Sequence, residues 1–406
     1  MFSSSLTLEQ YQSTATETDR TRGTKPISFL LLGLFGEAGT LMDEVKKKQR
    51  DSGSYVGYAE SVVEELGDVL WYLAVVASRL ELALSAIALP STQAGSSFAT
   101  PNEKLRFADL QQQAHLPLNA PALNFENTLL RLVSSIGALA KAQDDQSGPD
   151  RETWGQLLSN IFQNLVLAAT EAGATLEEAA RKNLVKIFDR WPKERTFPPL
   201  FDEGYVPEET IPRRLEVDVY ERIINEGSPT EKRYVLQRCN GILIGDRVTD
   251  NIIEHDDYRF HDAFHYAYAA VLGWSPVLRA LFRLKRKSNP NLDEGQDGAR
   301  AILIEEGVST FIFAYAKQLH FFEGQREGEL SFTLLKRVRE FVAGYEVEQR
   351  PLWLWEKAIL EGYSAFRFLK SHRSGRLMLD LEDRSMLIEP LPSSGSSTAA
   401  NNPAAT

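Results

Sequence analysis

The chain has 406 residues, 43% of them hydrophobic and 25% charged, with a formal net charge of -11 and a single cysteine, Cys239. That length allows two or three domains, each with a core of its own. The acidic balance excludes wholesale binding to nucleic acid or to an anionic membrane surface, and one cysteine excludes an intrachain disulfide.

In chain order, the N-terminal MFSSSLTLEQYQS lacks the basic flank and apolar run of a signal peptide, so a cytoplasmic protein is expected. Pro26 is followed by a proline-free run to Leu89, interrupted only by QRDSGSYVGYA. This predicts a helical hairpin over roughly 27–49 and 58–88. The apolar stretch VLWYLAVVASRLELALSAIAL (69–89) has the length of a membrane span, but it holds Arg79 and Glu81 and follows the charged EELGD. A buried helix and no membrane contact are expected. Residues 90–124, rich in Pro, Ser, Ala and Gln, read as an inserted loop.

A second hairpin is expected over about 125–173, from FENTLLRLVSSIGALAKAQ through the turn DDQSGPD to ETWGQLLSNIFQNLVLAATEAG. It reads as a degenerate copy of the first, keeping the apolar positions and losing the acids; chance similarity of two apolar helix pairs is the alternative. Thr175 then opens TLEEAARKNLVKIFDRW with a capping-box pattern. These elements make a first domain of 1–195. The proline-dense 196–213 reads as a linker, 214–387 as a second, mainly helical domain, and 388–406 as a disordered tail. The expected fold class is therefore all-α, a helical-hairpin bundle followed by a helical domain.

On a helix, residues three and four apart share a face. Glu37, Thr40 and Glu44 fall on one stripe of the first helix, and Glu65 and Asp68 on one stripe of the second. An antiparallel hairpin brings Glu37 to that pair, so three carboxylates converge among apolar neighbours. Such a group repels itself and resists desolvation unless a cation holds it, and hard oxygen ligands suit Mg²⁺ or Mn²⁺. The alternative is a solvated ExxD on an outer face.

GLFGEAGTLMDEVKK, EELGDVLWYL and TLEEAARKNLVKIFDRWP resemble the motifs of the MazG-type all-α nucleoside triphosphate pyrophosphohydrolases, over about residues 8–195. The resemblance implies cleavage of a nucleoside triphosphate between the α and β phosphates, with Glu37, Glu65 and Asp68 as Mg²⁺ ligands and Glu65 a candidate base. It also implies Asn183, Lys186 and Arg190 at the sugar or phosphates, Lys46 and Lys47 near phosphate, and assembly as a dimer or tetramer. A solvated, dipole-favoured helix end explains the two lysines equally well. The family's second glutamate on the first helix is Thr40 here, whose hydroxyl would hold a metal-bound water without adding charge; Glu44 or Asp43 would have to compensate.

In the second half, EHDDYRFHDAFHYAYAAVLGWSP puts His261 and His265 at i and i+4, with Asp262 beside them, and RAILIEEGVSTFIFAYAKQLH adds Glu305 and Glu306. Two imidazoles on one helix face and an acid from a neighbouring helix would suit a second divalent metal. HDAFH is not HExxH, so the general base of a metalloprotease is missing from its usual place. Aromatic-rich helices also bury histidines that only hydrogen-bond a carboxylate, and both readings stand. YRFHDAFHYAYAAVLGWSPVLRALFRLKRKS resembles the MazG C-terminal domain, which implies a fused partner of the first domain and no mechanism. The basic run with Arg279, Arg283, Lys285, Arg286 and Lys287 reads foremost as a solvated helix end.

The leading expectation is a Mg²⁺-dependent (d)NTP pyrophosphohydrolase in nucleotide-pool control or house-cleaning, acting on nucleoside triphosphates and not on nucleic acid. One alternative is a nucleotide sensor whose weakened first site regulates a metal-binding C-terminal domain in stress or phage defence. Another makes the second domain the enzyme and the first an oligomerisation module.

Overall fold

Thr7 and Gln10 cap each other's backbone reciprocally and start α1 (Leu8–Thr16). The structure, a computed structural model, describes residues 5–89, 98, 102–111, 117–119, 121–144 and 149–392. The chain divides into two units, Met1–Trp191 and Pro192–Thr406.

In the first unit, α2 (Ile27–Asp51) and α3 (Tyr58–Arg79) form a hairpin whose turn is closed by Gly57 in the left-handed region, with φ 86°. Two single-turn helices follow, α4 (Leu84–Ile87) and α5 (Phe107–Leu110). The second hairpin, α6 (Phe125–Asp144) and α7 (Arg151–Ala172), lies against the first, with α6 on α2 and α7 on α3. Its stripe of Leu132, Ile136, Leu158, Ile161 and Leu165 is fully buried with Leu34, Leu66, Leu70 and Leu73. The last helix, α8 (Leu176–Arg190), is capped by Thr175 and crosses α3.

Two expectations change here. The helix expected to reach residue 88 ends at Arg79, because that guanidinium grips Asp19 through two bonds of 2.7 and 2.8 Å and Glu81 then turns the chain with φ 58°. The apolar side chains beyond the break remain buried, and no described helix is long and apolar enough to cross a membrane. Much of the insert at 90–124 lies outside the described residues. Phe98, Leu105 and Phe107 of its described part are buried in the core, with Phe98 against Gly155 and the Phe107 ring edge-on to Tyr11 at 5.7 Å.

The second unit is not all-α. Strands β1 (Arg214–Ile224), β2 (Lys232–Cys239), β3 (Ile242–Val248), β4 (Ser374–Asp380) and β5 (Ser385–Glu389) form one antiparallel sheet in the order β3-β2-β1-β4-β5. The local signals exist: RLEVDVYERII alternates, burying Leu215, Val217 and Val219 on one face, and Asn240-Gly241 make a two-residue turn with φ 49° and 78°. Against the sheet pack α9 (Asp262–Ala267), which runs on as a π-helical turn to Leu272, and α14 (Leu352–His372). Between them come α10 (Pro276–Leu281), α11 (Pro290–Gly295), α12 (Ala299–Lys317) and α13 (Phe332–Phe341).

The proline-dense 196–213 is packed into this second unit. Asp202, 1% exposed, accepts Arg279 at 2.9 Å and Arg213 at 2.7 Å, while Arg350 donates to the Pro199 carbonyl at 2.7 Å. Arg279 and Arg286 of the basic run are therefore buried rather than solvated, each paired with carboxylates, whereas Arg283 and Lys287 are exposed. Residues 388 and 389, expected in the disordered tail, end β5; 393–406 lie outside the described residues.

Candidate functional site

The EELGD turn of α3 faces α8 across a close contact made possible by Gly67. A Cβ at that position would stand 2.6 Å from the Ala179 carbonyl oxygen and 2.9 Å from Asn183 Cβ. Close approach lets two α8 side chains, three residues apart, reach Asp68: Asn183 donates at 2.9 Å and Lys186 pairs with the other oxygen. Lys186 also pairs with Glu64 at 2.6 Å. Behind them Tyr11 donates to the Asn183 amide oxygen at 3.0 Å, orienting its NH₂ toward Asp68.

From α2, Glu37 completes the group. Glu37, Glu65 and Asp68 each offer a carboxylate oxygen, and the three lie within 4.8 Å of one another. Burial pushes the Glu65 carboxyl up to about 8, with the charges of Asp68 and Glu37 adding to it. Glu37 and Asp68 are raised by burial as well, the latter against the pull of Lys186. Lys186 is itself raised, since Asp68 and Glu64 outweigh its desolvation. Glu65 Oε2 is buried without a hydrogen-bond partner. An orphaned carboxylate oxygen beside two more acids suits a hard divalent cation, for which an all-oxygen donor set is the preferred shell.

Residues 26–88, spanning α2 and α3, match the MazG nucleotide pyrophosphohydrolase domain, and residues 196–392 match the MazG C-terminal domain. The chain carries both MazG domains in that order. A stretch of 63 residues is 38% identical to the Gene 37 protein of Mycobacterium phage L5, covering 15% of this chain and 55% of that protein. The chain thus spans about half the length of the relative it matches. No solved structure matches it.

Other expected residues of the MazG domain have contacts of their own. The Thr40 hydroxyl donates to the Gly36 carbonyl at 3.1 Å. Glu44 is buried and held by Lys47 at 2.8 Å and by the Tyr55 hydroxyl, so it does not replace the missing glutamate. Lys46 and Lys47 pair with Asp43, as at a solvated helix end. Arg190, one turn beyond Lys186, is buried with its guanidinium 4.4 Å from the Trp191 ring. Tyr11 and Glu64 were not legible as site residues. Glu64 had a signal, its place beside Glu65, while Tyr11 lies 172 positions from the side chain it holds.

In the C-terminal domain the structure brings His261, His265 and Glu306 together, each offering one ligand atom within 4.8 Å of the others. Glu305 and Asp262 flank the group: Glu305 Oε1 lies 2.8 Å from His265 Nδ1, and Asp262 Oδ1 lies 3.2 Å from His261 Nε2.

Proposed function

We propose that the MazG domain is a Mg²⁺-dependent nucleoside triphosphate pyrophosphohydrolase that converts a (d)NTP to the (d)NMP and pyrophosphate. The observation that carries this is the orphaned Glu65 Oε2 within the Glu37, Glu65 and Asp68 group. Those three carboxylates would hold Mg²⁺ or Mn²⁺, which when bound neutralises triphosphate charge and lowers the barrier to attack by water. The water oxygen bonds to the α phosphorus, the bond to the α–β bridging oxygen breaks, and one of the carboxylates takes the water's proton. Lys186 supplies positive charge for the departing pyrophosphate, and Asn183 keeps Asp68 oriented. Arg190, Lys46 and Lys47 are the remaining candidates for contact with sugar or phosphate.

A cytoplasmic house-cleaning or nucleotide-pool role fits such an activity, as does assembly as a dimer or tetramer. An exposed stripe on α2 supports the assembly, with Phe29 42% and Leu32 72% exposed and two glycines, Gly36 and Gly39, continuing the line. A nucleotide-sensing role is the second reading. It is favoured by Thr40, which contributes no charge, and by Glu44, which is engaged elsewhere.

The test is turnover of an NTP and dNTP panel by the purified full chain with Mg²⁺ or Mn²⁺, with Asp68→Ala and His261→Ala beside the wild type. Pyrophosphate release that disappears in Asp68→Ala and persists in His261→Ala is the expected result. Release that survives Asp68→Ala would refute the assignment; binding without turnover would favour the sensor.

A further inference from the structure

We propose that the C-terminal domain holds a first-row transition-metal dication, of the Zn²⁺, Co²⁺ or Mn²⁺ type, between His261 Nε2, His265 Nε2 and the Glu306 carboxylate. The site is independent of the carboxylates of the MazG domain.

The first support is that both imidazoles are pinned by their other nitrogen. His261 Nδ1 lies 2.8 Å from the Tyr258 carbonyl oxygen, which only accepts, so Nδ1 carries the proton there. His265 Nδ1 lies 2.8 Å from Glu305 Oε1. Glu305 is fully buried and is held in turn by the Ser275 hydroxyl at 2.7 Å and the Val277 amide at 2.8 Å, which both donate to it. Metal-ligating histidines are held in this way, one ring donating its Nδ1 proton to a carbonyl and another to a carboxylate, with each Nε2 lone pair presented to the ion. Tyr258 adds a stacked ring against His261 at 4.3 Å.

The second support is an unpartnered atom. His265 is 0% exposed, and its Nε2 has no hydrogen-bond partner. Its closest acid oxygen, Glu306 Oε1, is 3.5 Å away, and His261 Nε2 is 3.7 Å from Glu306 Oε2. These gaps, one to each oxygen of the carboxylate, are longer than a close hydrogen bond. They match the roughly 3.4 Å edge between neighbouring ligands of a tetrahedral ion bound at about 2.1 Å.

Donor chemistry then sets the class of ion. Two imidazoles and one carboxylate favour a transition metal over Mg²⁺, whereas the all-oxygen set of the MazG domain favours the reverse. The Glu306 side chain is 39% exposed, so the site opens toward solvent and leaves positions for water or a ligand oxygen. Asp262 sits at the rim: its Oδ1 is the acid oxygen nearest His261 Nε2, at 3.2 Å, and its second oxygen accepts the Gln237 amide. The competing arrangement is an imidazolium at His265 clamped by Glu305 and Glu306, which would bind no ion.

Co²⁺ titrated into the metal-depleted full chain decides between them. Expected are the intense visible bands of nitrogen-ligated Co²⁺ at one equivalent per chain, in the wild type and equally in Asp68→Asn, displaced by Zn²⁺ and not by millimolar Mg²⁺. In Glu306→Gln and in His261→Gln the apparent affinity should fall about 10- to 100-fold or more. Circular dichroism of the metal-free variants should match the wild type. Absence of the bands in the wild type, their persistence in both C-terminal variants, or their loss in Asp68→Asn alone would overturn the proposal.

Discussion

Glu65 carries a strong electrostatic tension in the MazG domain, a carboxyl raised to about 8 by burial and by two neighbouring acids. A carboxyl whose folded value exceeds its unfolded one binds more protons when folded, so stability falls as pH rises from about 4.5 through 8. In chelator-treated protein the thermal midpoint should therefore drop across that window. Because a metal ligand must be deprotonated, added Mg²⁺ competes with this proton and should raise the midpoint more at pH 8 than at pH 5.5. Melting curves at the two pH values, with and without Mg²⁺, check the sign; an equal Mg²⁺ shift at both would remove Glu65 from the ligand set.

The same site depends on how closely two helices approach. Gly67 has no Cβ where one would meet the Ala179 carbonyl oxygen at 2.6 Å, so Gly67→Ala must push α8 off α3. A cost of about 1–3 kcal/mol is expected from such overpacking. Turnover should suffer beyond that, since Asn183 and Lys186 would move away from Asp68; chemical denaturation and kinetics on the folded variant separate the two effects. At the other end of α3, Arg79 grips Asp19. Burial raises the Asp19 carboxyl, but bonds from Arg79 and Thr21 outweigh it and leave it below its ordinary value. Its stabilisation is present above the unfolded value, near 3.9, and is lost as pH falls through the folded one. Asp19→Asn should therefore cost about 1–3 kcal/mol at pH 7, with the difference from wild type shrinking below about pH 4.

Across the whole molecule, two chemically different metal-type clusters occupy two units, each unit with its own buried core. The acidic net charge of -11 suits nucleotide chemistry handled through a cation better than direct binding of a polyanion. Assembly is expected to use the apolar stripe on α2. Leu32→Glu places a charge at a 72% exposed position, so it should leave the fold intact and shift the mass measured by light scattering toward the monomer. An unchanged mass would mean that another face mediates association.

Local and periodic features were legible in the chain alone. The α2–α3 hairpin and the convergence of Glu37 on Glu65 and Asp68 follow from a 3.6-residue repeat and from a short turn that forces the helices antiparallel. His261 and His265 share a face for the same reason. Non-local choices belonged to the tertiary structure. Strand β1 pairs with β4, as Asp218 with Arg376, across more than 150 residues, and no window of sequence announces that partner. The all-α reading missed this sheet within the mainly helical 214–387, although RLEVDVYERII and Asn240-Gly241 carried strand signals. Burial of Arg279 and Arg286 likewise depended on carboxylates brought in by distant segments. Only packing decides which nitrogen of His265 meets Glu305 and which is left facing Glu306, because a ring's orientation is set by the groups around it and not by its place in the chain.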